Sequence, residues 1–123
     1  PAAALSPGLR GHAIEARVYA EDADYLPQTG TLSRVSWPHG VRVDSGVETG
    51  SVIGVHYDAM IAKVVAHGAD RAAASALLAD ALDRAELHGL ITNRGLLVEV
   101  LRSDEWVTNR VDTGFLDRFI PPS

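Results

Sequence analysis

The stretch HAIEARVYAED, residues 12–22, alternates between two kinds of side chain, and this alternation decides the fold of the first half of the chain. One set is mostly apolar and comprises His12, Ile14, Ala16, Val18 and Ala20. The other set contains the charges and comprises Ala13, Glu15, Arg17, Tyr19 and Glu21. Because side chains of a strand point alternately to opposite faces, this pattern predicts a strand with one buried and one charged face.

Three further segments predict strands. They are TLSRVSW at 31–37, VRVDS at 41–45 and AMIAKVVAHG at 59–68. The last also fits a helix, but its length, the pair Val64-Val65 and the stop at Gly68 favour a strand. Residues 1–10, rich in small residues and proline, are expected to form a linker, and residues 121–123 a tail.

The second half of the chain predicts helices. DRAAASALLADALDRAELHG, residues 70–89, begins with Asp70 as a plausible N-cap and ends at His88-Gly89. Its apolar stripe is Ala74, Leu77, Leu78, Ala81, Leu82 and Ala85. TNRGLLVEVLRS at 92–103 predicts a second helix capped by Thr92 or Asn93. SDEW at 103–106 and DTGFLDRF at 112–119 each predict one further helical turn. Strands followed by helices indicate an α+β fold, with a barrel-sandwich-like antiparallel sheet followed by packed helices.

Composition excludes several classes of function. The 123 residues are 46% hydrophobic and 22% charged, as in a single globular domain. The net charge of −5, without a basic cluster, argues against nucleic-acid binding, and no apolar run suits a membrane helix. The absence of cysteine excludes disulfides and thiolate metal sites. It is compatible with the reducing cytosol, and a cytoplasmic location is expected.

Common catalytic motifs are missing. The glycines at 46, 50 and 54 are not followed by Lys-Ser or Lys-Thr, so no phosphate-binding loop is present. The five histidines lack zinc-site spacing, and no serine lies in a G-x-S-x-G turn, so we expect no metal site and no serine nucleophile.

A charged sheet face is the remaining candidate. Glu15 and Arg17 alternate on one predicted strand, and Arg42 and Asp44 on another. The residues alone leave two interpretations open: a solvated face with cross-strand ion pairs, or a functional face. Lys63, between aliphatic residues, is interpreted as a lysine whose stem packs on the sheet while its amine reaches water.

Several phrases taken together resemble the C-terminal domain of biotin carboxylases, the family of the α subunits of acetyl-CoA and propionyl-CoA carboxylases. They are GHAIEARVYAED (11–22), LPQTGTL (26–32), GVRVDSGVETGSVIGVHYDAMIAKVVAHGADR (40–71), ITNRGLL (91–97) and DTGFLDRF (112–119). The resemblance covers nearly the whole chain and predicts a domain over 11–120. Ala23 and Ala59 stand where the family usually has proline, and we interpret both as loop or strand-end variation.

The resemblance implies an activity. Biotin carboxylases use MgATP and bicarbonate to form carboxyphosphate, which delivers CO2 to N1 of carrier-bound biotin. The ATP-grasp part that binds ATP and Mg2+ is absent from this sequence, so the isolated chain is expected to hold none of these groups and to be inactive. The arginine that faces biotin in the family matches Arg42, which makes Arg42 the expected catalytic residue. Asp44 is expected to orient it.

The resemblance implies further sites and partners. The arginine that begins the family's helix near the subunit interface of the homodimer matches Arg71, and the segment near the adenine of ATP matches Thr113. Expected partners are a biotin carboxyl carrier domain, a carboxyltransferase subunit and a second copy of the biotin carboxylase, in a cytoplasmic ligase of fatty acid biosynthesis. Two alternatives remain: a non-catalytic binding or dimerisation module of the same ancestry, and a purely structural sheet domain.

Overall fold

The computed structural model describes residues 5–7, 13–22, 24, 26–54 and 60–108 of the chain. Thr113, the segment DTGFLDRF, Ala23 and Ala59 lie outside the described residues. The strands are β1 (Leu5–Pro7), β2 (Ala13–Tyr19), β3 (Gly30–Thr31), β4 (Arg34–Ser36), β5 (Arg42–Ser45), β6 (Val52–Ile53), β7 (Met60–His67) and β8 (Glu86–His88). The helices are α1 (Arg71–Arg84), α2 (Arg94–Arg102) and α3 (Asp104–Val107).

The largest sheet has four antiparallel strands in the order β1-β2-β7-β5. β3 pairs with β6, and β4 pairs with β8, in two small two-stranded sheets. Along the described residues seven strands precede α1, and one short strand, β8, lies between α1 and α2. The strands form antiparallel sheets and are largely separate from the helices along the chain, so the α+β prediction is confirmed. In the part of the chain that the structure describes, no helix has the length and hydrophobicity to cross a bilayer.

The core lies between the apolar face of this sheet and α1. Ile14, Ala16 and Val18 of β2 are fully buried, as the alternation predicts, and Val64 of β7 is buried in register with Ala16. α1 packs against β2 and β7 on one side and against α2 on another. Asp70 caps α1 as predicted, because its carboxylate accepts a hydrogen bond from the amide of Ala73 at 2.8 Å.

Asn93 attaches the start of α2 to the end of β2. Its side-chain oxygen accepts from the Tyr19 amide at 2.8 Å, and its side-chain nitrogen donates to the Arg17 carbonyl at 3.1 Å. The Asn93 amide also donates to the Tyr19 carbonyl at 3.1 Å. Asn93 occupies the N-cap position, but its side chain makes no capping bond to α2. It is instead a buried link between helix and sheet, a role that its position in the sequence did not reveal.

The end of the first helix differs from the sequence prediction. The helix predicted to run to His88-Gly89 ends at Arg84, and Glu86–His88 forms β8 against β4. The chain turns extended at Ala85, whose side chain is buried, and Leu87 is buried opposite Val35. Pairing with β4, which is distant in sequence, therefore determines the structure of these residues against their local helical propensity.

Two further segments also differ from expectation. The single strand predicted over 31–37 is divided between β3 and β4, which pair with different partners. Leu5–Pro7, within the expected linker, forms β1 along β2, with Ser6 in register with Glu15. The first ten residues are therefore not a linker throughout, because part of this segment is paired into the sheet.

Candidate functional site: the charged face of the sheet

Strand register brings the predicted charged residues together on one face. β7 lies between β2 and β5, and Val65 is opposite both Glu15 and Arg42. Two residues away, Lys63 is opposite both Arg17 and Asp44. Directly opposed residues of antiparallel strands share a face, so these side chains form two parallel rows. We call this surface the charged face: Glu15, Val65 and Arg42 in one row, and Arg17, Lys63 and Asp44 in the next.

Ion pairs on the charged face run along each strand. The Nε of Arg17 donates to Oε2 of Glu15 at 3.0 Å, within β2. In β5, Nη2 of Arg42 lies 3.4 Å from Oδ2 of Asp44, and Nε of Arg42 lies 3.5 Å from Oδ1. The ion pairs predicted between strands are therefore replaced by pairs two residues apart on the same strand.

The two pairs differ in how firmly they are held. Arg17 and Glu15 are 36% and 28% exposed, and the hydrogen bond to Glu15, reinforced by its charge, raises the pKa of Arg17 above its usual value. Arg42 and Asp44 are 72% and 53% exposed, and their contacts are long. Arg17 is therefore part of the framework of the face, while the guanidinium of Arg42 stays open to solvent with unused donors.

Pairing of β5 fixes the backbone of Arg42, although its guanidinium is exposed. Arg42, Val43 and Asp44 are all in register with β7, and the Gly46 amide continues the pairing with a 3.0 Å bond to the Ile61 carbonyl. β5 is one of the two edge strands of the four-stranded sheet, opposite β1. A groove of about 580 Å³ lies where β5 pairs with β7, lined by residues 43–46 and 60–63, and both Asp44 and Lys63 line it. The charged face thus continues into a cavity large enough for a small ligand.

Arg71 is engaged within its own chain. Its Nε donates to the Trp106 carbonyl at 2.6 Å, and its guanidinium carbon lies 4.1 Å above the centroid of the Trp106 ring. The indole nitrogen of Trp106 donates to Ser75 at 3.0 Å, so the stacking surface is itself fixed to α1. Partial burial lowers the pKa of Arg71. Arg71 therefore joins α1 to α3, and its expected place at a dimer interface stays a prediction.

Among the residues that the structure describes, no three His, Asp or Glu side chains are grouped closely enough to ligate a metal ion. The described carboxylates of the charged face are each beside an arginine instead. Thr113, the expected contact to adenine, lies outside the described residues. The described site is therefore a cationic surface suited to anions or to a polarised oxygen.

The family of the chain follows from a comparison of sequences. The profile of the family "Biotin carboxylase C-terminal domain" matches residues 15–118, which is most of the chain and includes the whole charged face. The chain belongs to this family, as the sequence phrases predicted.

Known relatives are large carboxylases. The chain is 42% identical over 119 residues to the mitochondrial propionyl-CoA carboxylase alpha chain of Homo sapiens, covering 92% of this chain and 16% of that protein. It is 43% identical over 116 residues to the mitochondrial methylcrotonoyl-CoA carboxylase subunit alpha of Oryza sativa subsp. japonica, covering 90% of this chain and 16% of the relative. The chain thus spans about one sixth of these relatives. Both are mitochondrial, and the predicted cytoplasmic location stays a prediction.

A solved structure shows the same fold. The biotin carboxylase domain dimer of Hydrogenobacter thermophilus 2-oxoglutarate carboxylase, in complex with MgADP, ADP and bicarbonate, superposes with a TM-score of 0.83. The two are 26% identical, and the match covers 90% of this chain and 26% of that one.

Sequence reasoning found four members of the charged face and underrated a fifth. Alternation selected Glu15 and Arg17 correctly, and it selected Arg42 and Asp44 as their neighbours. Lys63 was interpreted as a solvated lysine, although its place in β7 puts it at the centre of the face. The signal that could have found it is the period of two in AMIAKVVAHG, which sets Lys63 and Val65 on one side.

Proposed function

We propose that this chain is the C-terminal domain of the biotin carboxylase component of an acyl-CoA carboxylase, and that it forms one wall of the site where carrier-bound biotin is carboxylated with ATP and bicarbonate. Membership of the family supports this role, and so do the names of the relatives, which are carboxylases of propionyl-CoA and methylcrotonoyl-CoA. In the complete protein the chain would be part of an ATP-dependent ligase forming a C–N bond.

One observation carries the proposal: the guanidinium of Arg42 is open to solvent while its backbone is held in an ordered strand. A structural arginine would be expected to have its donors used by the protein itself. Among the residues that the structure describes, a single carboxylate, Asp44, contacts Arg42, and its two long contacts leave most of the fork available. This exposure supports our proposal that Arg42 is a donor for a group brought to the sheet from outside.

The chemistry of biotin gives Arg42 a task. When N1 of the ureido ring loses its proton, negative charge develops on the ureido oxygen. A cation held nearby stabilises that charge more in the transition state than in the ground state, which lowers the barrier. Arginine suits this position because it stays protonated and presents several donors in a rigid plane. Asp44, on the same side of β5, limits the positions that the guanidinium adopts and so orients it.

The remaining groups of the reaction are assigned to other parts of the complete enzyme. Mg2+ and the ATP that it accompanies would bind mainly outside this chain, because the described residues offer no cluster of metal ligands. Thr113 stays our proposed contact to adenine, and Arg71 our proposed residue near the interface of a homodimer. A biotin carboxyl carrier domain and a carboxyltransferase subunit are the proposed partners that deliver biotin and accept its carboxyl group.

The test is carboxylation by the complete carboxylase that carries this domain, with the substitution Arg42→Ala. Loss of a charged donor at such a site costs about 100- to 1000-fold in rate, and we expect a fall of that size in biotin-dependent ATP hydrolysis with bicarbonate. Thermal unfolding should be unchanged, since Arg42 is 72% exposed.

Arg34→Ala is the matched control. Arg34 is also an exposed strand arginine paired with a carboxylate, Glu86, but it lies on the separate β4-β8 sheet. It should keep full activity. If Arg42→Ala retained activity within a few-fold of the parent, the catalytic role would be wrong, and the binding or dimerisation module would be the better description.

A further inference from the structure

Lys63 is the central residue of the charged face. It lies on β7, between β2 and β5, directly opposite Arg17 on one side and Asp44 on the other. Its neighbours in sequence, Ala62 and Val64, are buried on the opposite side of the sheet. The stem of Lys63 is therefore fixed by the best-paired strand of the domain, and its amine projects from the middle of the face.

Within the described part of the chain, Lys63 also differs from the other cations of the face in having no carboxylate partner. Arg17 is paired with Glu15, and Arg42 with Asp44. No hydrogen bond or ion pair joins Lys63 to another residue within the described ranges. Three cationic side chains and two carboxylates leave one positive charge on this face, in a chain whose net charge is −5. A local excess of this sign favours an anion.

The positions of Lys63 and Arg42 on adjacent strands define where that anion would bind. The two residues are diagonal neighbours on adjacent antiparallel strands, one row apart on the same face. Such residues are about 7–8 Å apart, and long side chains bridge this distance. An ammonium and a guanidinium extending from these positions can therefore meet at one small group between them, beside the groove that Lys63 lines.

We propose that Lys63 is a second binding residue of the site, and that with Arg42 it binds one small planar oxyanion of the carboxylate class. This rests on the proposed function, because it takes Arg42 as part of the site. Two sources supply such an oxyanion in that reaction: free bicarbonate, and the carboxylate group that carboxylated biotin carries. Arg42 would serve the ureido oxygen and one oxygen of the anion, while Lys63 holds the other.

The experiment uses the complete carboxylase with the substitutions Lys63→Gln and Lys63→Arg. The forward arm measures kcat and KM for bicarbonate at saturating MgATP and biotin. The reverse arm measures kcat and KM for freshly prepared N-carboxybiotin with MgADP and phosphate. Loss of one charged hydrogen bond weakens binding about 10- to 100-fold, so Lys63→Gln should raise KM by this factor in one arm. The arm that responds identifies the source of the oxyanion.

Two controls separate binding from structure. Lys63→Arg keeps the charge and should restore KM to within a few-fold, and Arg34→Gln should leave both arms unchanged. If neither KM changes by more than about twofold in Lys63→Gln, or if only kcat and the melting temperature fall, the inference is overturned. Should Arg42→Ala also prove fully active, the proposed function itself fails. If Arg42→Ala is inactive while Lys63→Gln leaves both KM values unchanged, the binding role of Lys63 is rejected and the proposed function stands.

Discussion

At the scale of single residues, the charged face shows which side-chain positions the alternation of a sequence can predict and which it cannot. A period of two assigns Glu15 and Arg17 to one side of a strand without any knowledge of its neighbours. It does not reveal which strand lies alongside, because register depends on pairing between segments that are distant in sequence. The central place of Lys63 follows only from β7 lying between β2 and β5. A lysine beside aliphatic residues looks the same on any strand.

The pairing of Arg42 with Asp44 leads to a prediction for Asp44→Asn. Because both side chains are more than half exposed, the pair contributes little to folding, and the free energy of unfolding should change by less than about 1 kcal/mol. Activity should fall, since the amide holds the guanidinium less firmly, but less than in Arg42→Ala. Chemical denaturation and biotin carboxylation by the complete enzyme measure the two effects. A fall in stability without loss of activity would contradict the orienting role.

At the scale of elements, the end of α1 shows where local propensity misleads. Residues Glu86 and Leu87 are good helix formers, and the apolar stripe of α1 continues to Ala85. The chain leaves the helix because β8 completes a small sheet with β4, which lies some fifty residues earlier. Gly89 then takes a φ of 110° and passes close to β3. Sequence reasoning interpreted this glycine as a helix end, whereas it terminates a strand.

Gly89→Ala should therefore be strongly destabilising. Its φ disfavours any side chain, and an added Cβ would lie 2.1 Å from the carbonyl oxygen of Thr31, a backbone atom that cannot move aside. Gly40→Ala is the matched control, since Gly40 has a φ of 96° but no heavy atom within 4 Å of an added Cβ. The control should lose about 1–2 kcal/mol from conformation alone.

Gly89→Ala should lose about 1–3 kcal/mol more than Gly40→Ala, because overpacking adds to the same conformational cost. Urea denaturation of both variants measures the difference. Equal losses would show that the contact between Gly89 and Thr31 is relaxed at little cost, and that β8 is not held against this part of the fold.

At the scale of the whole molecule, the fold class was accessible from sequence, while the function needed the family. The α+β class, an alternating β2 and a capped α1 follow from local properties of the sequence, and each was correctly predicted. The strand β8, which follows α1, was not predicted. The division into three sheets and the pairing of β1 in the expected linker depend on distant contacts, and they were missed. No local motif distinguished a functional charged face from a solvated one. The resemblance over nearly the whole chain favours the functional interpretation, which stays a prediction that Arg42→Ala tests.

The size of the chain yields a prediction about its activity. It spans about 16% of its carboxylase relatives, and its described residues provide a cationic face but no cluster of metal ligands. The 123-residue chain alone should therefore show no biotin-dependent hydrolysis of ATP in the presence of bicarbonate. The complete carboxylase, assayed in parallel, is the positive control. Turnover by the isolated chain above background would contradict the assignment of ATP and Mg2+ to other parts of the enzyme.

The most direct test of the central claim is the rate of biotin carboxylation by the complete enzyme carrying Arg42→Lys, compared with Arg34→Lys. Lysine keeps the positive charge but lacks the planar fork, so the account predicts a fall in kcat of about 100-fold at position 42 and none at position 34. A variant with lysine at position 42 and the kcat of the parent would show that the fork of Arg42 has no part in the reaction.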